Sequence, residues 1–117
     1  MHTEIELVVR DYLDGMSYAD AEKLRAAFHP RASVVGRWAG LLEWLSLEEF
    51  VTACLEAPAL PAGAGYYSQI LSIDILENVA AVKLEDDYLG NRFTDYLTLM
   101  KDDGRWLIVN KVYHHHA

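Results

Sequence analysis

Two aspartates, Asp86 and Asp95, and one histidine, His29, are the side chains of this sequence best placed to move protons. Strand parity singles out the aspartates, because alternate side chains of a strand face opposite sides of a sheet. Between Val79 and Leu89, the residues Val82 and Leu84 share a face with Asp86 and Tyr88, while Lys83, Glu85 and Asp87 take the other. Between Arg92 and Lys101, Leu97 and Leu99 share a face with Phe93 and Asp95. Two carboxylates thus fall on the apolar side of neighbouring strands, near the ends joined by Gly90-Asn91. A carboxyl in a partly apolar mouth acquires a raised pKa suited to acid or base work. A carboxyl at a hairpin end can equally be a solvated rim residue. His29 precedes Pro30 at the end of an expected helix. There its imidazole either satisfies helix-end carbonyls or turns inward as a base or ligand contact.

Aromatic residues are plentiful enough to wall a pocket. Tyr12, Phe28, Trp38, Trp44, Phe50, Tyr67, Tyr88 and Phe93 are candidates for that role, with plain core the alternative for each. Asn110 adds an amide if its face of the last strand is the inner one. His114 and His116 share a strand face, but no third ligand at a defined spacing supports a metal site, and none is assigned. Neither a phosphate-binding glycine loop nor a G-x-S-x-G, H-E-x-x-H or paired-cysteine motif occurs. No cofactor is therefore expected. The sole cysteine, Cys54, has no internal disulfide partner and reads as a small buried hydrophobe on a helix face.

These residues need elements to hold them. Thr3 with Glu6 reads as a capping box opening a helix whose stripe is Ile5, Val8, Val9, Tyr12 and Leu13, with Gly15 at its end. Ser17 is the expected cap of a second helix, which Pro30 prevents from continuing. Two short strands, Ala32 to Trp38 and Leu41 to Leu45, follow. Ser46 and Glu49 form another capping box for a helix that carries Phe50, Val51 and Cys54 and ends before Pro58. After a loop from Ala59 to Gly65 come four strands, Tyr66 to Leu76, Val79 to Leu89, Arg92 to Lys101 and Arg105 to His115. Their short turns imply antiparallel hairpins. On parity, Tyr67, Gln69, Leu71, Ile73 and Ile75 share the helix-covered face of the first. The last strand is apolar on both faces, one carrying Trp106, Ile108, Asn110 and Val112, the other Leu107, Val109, Lys111 and Tyr113. Such a strand is expected to be buried on both sides, by the helices and by a second copy of the chain. Helices followed by strands indicate an α+β fold.

The totals narrow the function classes. The 117 residues have room for a single domain, residues 1–117, and 52% of them are hydrophobic, so a packed core is expected. The formal charge of −8 argues against nucleic acid and against anionic membrane surfaces. No apolar run approaches a membrane span, and the N-terminus does not read as a signal peptide, so a cytoplasmic protein is the default expectation.

Several segments together resemble a known family. They are "YLDGMSYADAEKLRAAFHPRASVVG", "LSLEEFVTACLEAP", "ILSIDILENVAAVKLEDDY" and "FTDYLTLMKDDGRWLIVNKVYH". In that order they resemble the putative lumazine-binding family of the nuclear-transport-factor-2-like superfamily. The resemblance implies a cone-shaped barrel of N-terminal helices packed on a curved, mainly antiparallel sheet. It also implies a pocket between helices and sheet, and pairing through the sheet into a homodimer. Relatives on this fold include isomerases, cyclases, dehydratases and non-catalytic domains, so the fold does not choose among them. Nothing in the sequence reads as a flavin or pterin signature. Three readings follow. One is a domain that binds a small apolar or aromatic molecule. Another is an isomerase, cyclase or dehydratase in which Asp95, with His29 or Asp86, moves a proton while a tyrosine steadies the oxyanion. The third is a protein association module.

Overall fold

The structure, a computed structural model, describes residues 2–117. Helix α1 (His2–Ser17) and helix α2 (Ala21–Ala27) lead into strands β1 (Phe28–Trp38) and β2 (Leu41–Ser46). Helix α3 (Leu47–Glu56) follows, and then β3 (Ser68–Leu76), β4 (Val79–Tyr88), β5 (Asn91–Asp102) and β6 (Arg105–His116). The six strands form one curved, unclosed sheet in the order β2-β1-β6-β5-β4-β3. All neighbours are antiparallel except β1 and β6, which run parallel. The α+β cone read from the sequence is the fold observed.

Apolar periodicity explains why the helices sit on one face. Ile5, Val9, Tyr12 and Leu13 of α1 and Phe50, Val51 and Cys54 of α3 share one cluster with Val34, Val82, Leu84, Leu97, Leu99 and Ile108 of the sheet. Burying each large side chain stabilises the fold by about 1.5–3 kcal/mol. Cys54 is free and buried.

The helix ends depart from the expected caps. Helix α1 already includes His2 and Thr3 and runs on through Gly15 to Ser17. Gly15 is small for a different reason than a helix stop. A Cβ there would lie 2.8 Å from Leu24 Cγ, so the glycine lets α2 pack closely against α1. The chain turns at Ala19, whose φ is +52°, and Asp20 rather than Ser17 caps α2 by accepting from the Lys23 N–H. The Ser46–Glu49 capping box of α3 is present as read.

Two β-bulges decide which residues face inward. In β3, Ile70 pairs with Leu84 and Ser72 with Lys83, so Leu71 is an extra residue. In β6, Asn110 pairs with Thr98 and Ile108 with Leu99, so Val109 is extra. Each bulge resets the alternation and increases the local bend. Consequently Ile70, Ile73 and Ile75 pack on the core, while Leu71, expected inside, is exposed. In β6 the inward series is Trp106 and Ile108, then Lys111 and Tyr113.

Candidate functional site

A cavity of about 380 Å³ opens between the concave face of the sheet and helices α1 and α3. Strands β4, β5 and β6 place three ionisable side chains along it. The ladder pairs Leu84 with Asp95 and Asp86 with Phe93, and on the other side pairs Leu97 with Lys111 and Asp95 with Tyr113. Asp86, Asp95 and Lys111 therefore run diagonally across one face of three neighbouring strands. Asp86 and Asp95 are each 1% exposed and Lys111 5%. Of the two settings considered for the aspartates, the solvated rim is excluded.

The two carboxyls have different partners. The Tyr12 hydroxyl donates to Asp95 Oδ2 at 2.6 Å, a short hydrogen bond of the charge-assisted kind. Burial pushes the Tyr12 phenol well above its usual pKa, and the negative charge of Asp95 adds to this. Neither oxygen of Asp86 has a hydrogen-bond partner among the described residues, and nor does Asp95 Oδ1. Burial raises the Asp86 pKa to about 7. The neighbouring Asp95 charge pushes the same way, and Lys111 and Arg92 pull against it. Asp86 is thus a carboxyl whose proton is exchangeable near neutrality and whose oxygens face the cavity uncommitted.

Lys111 is held by apolar groups. Its Nζ lies 4.6 Å from the ring centroid of Phe50, 4.8 Å from that of Tyr12 and 5.4 Å from that of Tyr113. Its hydrogen-bond contact is the Met16 thioether at 3.9 Å, a weak acceptor. No carboxylate of the described residues forms a salt bridge with it. The Tyr113 hydroxyl donates to Glu43 Oε1 at 2.5 Å. Burial and that carboxylate both hold the Tyr113 phenol above its usual pKa. Gly36 of β1 lies opposite Tyr113, where any Cβ would overlap the ring, so the glycine makes room for this wall. Near the mouth Trp38 stacks on Phe93 with centroids 5.6 Å apart, and His115 lies 4.9 Å from Trp38. Cys54 also lines the cavity, and burial pushes its thiol up.

Most of the expected site assembles here. Asp86, Asp95, Tyr12, Trp38, Phe50, Tyr88 and Phe93 all line the cavity. Five residues do not. Phe28 lies beneath it in the core, edge-on to Tyr12 at 5.6 Å. His29 points away, because β1 begins at Phe28 and the inward place falls to Phe28. The His29 Nδ1 accepts from the Arg31 N–H at 3.0 Å. Trp44 is 70% exposed, since Glu43 and Leu45 are the β2 residues that face the cavity. The bulge at Leu71 leaves Tyr67 exposed, where its hydroxyl donates to Glu85 Oε1 at 2.8 Å. The bulge at Val109 takes Asn110 off the inner face, and its amide donates to Ser33 Oγ at 2.9 Å. Lys111 and Tyr113 were not singled out by sequence reasoning. The available signal was a lone cation within the apolar run Trp106 to Tyr113.

The sheet, its helices and the cleft between them define a nuclear-transport-factor-2-like protein. The chain belongs to the family described as Putative lumazine-binding, whose profile matches residues 1–114. It is similar to an NTF2-like protein of unknown function from Silicibacter pomeroyi. The two share 32% identity and a TM-score of 0.93, over 98% of this chain and 95% of that one. A ketosteroid isomerase-like protein from Erwinia carotovora atroseptica shares the fold at 14% identity and a TM-score of 0.75, over 98% and 95% of the two chains. The chain is also 25% identical over 105 residues to a protein named aldolase FrzH from Cladobotryum sp, covering 88% of this chain and 82% of that protein. Family and neighbours support a ligand-binding domain. No helix among the described residues is long and apolar enough to cross a membrane.

Proposed function

We propose that the cavity takes a small, largely apolar molecule bearing a carbonyl, and that Asp86 moves a proton at the carbon beside it. The observation that carries this reading is Asp86 itself, buried in an aromatic cleft with both oxygens uncommitted. With its pKa raised to about 7, the carboxyl both accepts and returns a proton near neutral pH. Asp95 is tied to Tyr12 and serves by sharing charge with Asp86 rather than by meeting the ligand first. The aldolase-named relative supports the reading, because aldol chemistry turns on a proton removed next to a carbonyl. Of the tyrosines lining the cavity, Tyr12 and Tyr113 do not fit the oxyanion role, which leaves it to Tyr88. The hydroxyls of Tyr12 and Tyr113 are already donated to carboxylates.

The test is hydrogen–deuterium exchange at the α-carbon of cyclohexanone and acetophenone in D2O, followed by NMR. The protein should accelerate exchange, with a rate that rises through about pH 7 as Asp86 ionises. Asp86→Asn should reduce it by about 10²–10⁴-fold. An Asp86→Asn protein as fast as the parent would sink the assignment.

We also infer that the outer face of β5 and β6 meets a second copy of the chain. Tyr96 and Val112 are cross-strand partners on that face and, with Met100, are exposed large apolar residues. Light scattering should report a dimer that Tyr96→Lys dissociates. A parent protein monomeric at high concentration would overturn this.

A further inference from the structure

We infer that Lys111 is a covalent catalyst, its amine condensing with an aldehyde or unhindered ketone bound in the cavity to form an iminium ion. This deepens the proton-transfer reading and rests on it. The grounds are the position and isolation of the amine. Lys111 is almost fully buried, lines the same cavity as Asp86 and Asp95, and among the described residues has only a thioether as hydrogen-bond partner. A structural lysine at such depth is ordinarily paired with a carboxylate. Lysines set in hydrophobic pockets are the ones that act as amine nucleophiles towards carbonyls.

The rings around Nζ bear on the same point. The faces of Tyr12, Phe50 and Tyr113 attract a cation. Condensation keeps a cation there in the end state. The ammonium first gives a proton to the Asp86 carboxylate through a water in the cavity, since the two groups are not in salt-bridge contact. The free amine lone pair then adds to the carbonyl carbon, forming a C–N bond, and the carbonyl oxygen takes a proton from the nitrogen. The resulting hydroxyl leaves as water with the proton Asp86 holds, breaking the C–O bond. One positive charge is present before and after, so the same ring faces hold ammonium and iminium alike. The iminium then draws in the electron pair left when the α-proton departs to Asp86. That is the service the committed hydroxyls of Tyr12 and Tyr113 cannot give.

The experiment incubates the protein with cyclohexanone or benzaldehyde and sodium cyanoborohydride at neutral pH, then maps the attached probe by peptide mass spectrometry. Lys111 should be labelled ahead of the exposed Lys23 and Lys101, although it is the least accessible of the three. Lys111→Arg keeps the charge without a condensing amine, and Lys111→Met removes both. Each should cut α-proton exchange by about 100-fold or more, with circular dichroism checking the fold. Labelling of Lys111 no faster than Lys23, or full exchange activity in Lys111→Arg, would overturn the inference. Exchange that needs Asp86 without labelling at Lys111 leaves proton transfer standing and removes the imine. Labelling at Lys111 with exchange indifferent to Asp86→Asn does the reverse.

Discussion

The closed end of the cone and its mouth are built by the same three strands, yet their chemistry is opposite. In β4, Val82 and Leu84 give way to Asp86; in β5, Leu99 and Leu97 give way to Asp95; in β6, Ile108 gives way to Lys111. The change takes two or three residues on each strand. At the closed end the inward side chains of these strands are hydrophobic and packed, though the buried Trp106 Nε1–H also lacks a partner among the described residues. At the mouth, three carboxylate oxygens are buried without partners among the described residues. Stability is made at one end, and some of it is given up at the other, as expected where a fold carries a reactive site.

The largest test of that division is Asp86→Asn. The folded-state pKa of Asp86 is raised, so its stabilising share is fully present below the unfolded value, near pH 4, and is lost as pH rises through about 7. Removing the charge should stabilise the protein at pH 8 by up to about 4 kcal/mol and flatten its decline between pH 4 and 7. Urea unfolding at pH 5 and pH 8 measures this; a variant less stable than the parent at pH 8 would break the contrast. At the other end, Leu99→Ala should cost about 3 kcal/mol in the same assay, by lost burial and the space left behind. It should leave α-proton exchange nearly intact, because Leu99 does not line the cavity. Tyr12→Phe spans the two regions. It keeps the packed ring and strips Asp95 Oδ2 of its donor, with an expected loss of about 1–2 kcal/mol at neutral pH. Smallest is Trp44→Ala on the exposed side of β2, expected to stay within about 0.5 kcal/mol and to leave the site unaffected.

The contrast was legible in the sequence where the ladder is regular. Strands β4 and β5 pair without interruption from Val79↔Met100 to Tyr88↔Asn91, so alternation alone placed Asp86 and Asp95 on the apolar face. It failed where an extra residue intervenes. Nothing in the residue types around Leu71 or Val109 announces a bulge, so Tyr67 and Leu71 were assigned inward, the face of Asn110 stayed open and Lys111 passed unnoticed. Their facing is set by pairing with strands distant in sequence, which local pattern does not encode. His29 was displaced because the strand pairing of β1 reaches back to Phe28, earlier than Pro30 led one to expect. The depth of the aspartates depended on how far α1 and α3 close over the sheet. Parity says only which way a side chain points, not how much covers it.

The extra residue in β6 has a consequence for how such a cleft can be resized. Val109 takes no rung of its own on the ladder. Deleting it would still leave Ile108 and Lys111 facing inward, now two positions apart instead of three. The wall would keep its chemistry and lose its bend. The width of the cleft is therefore written in the number of residues between two fixed points. A single-codon deletion there can tune it while Asp86, Asp95 and Lys111 keep their facing.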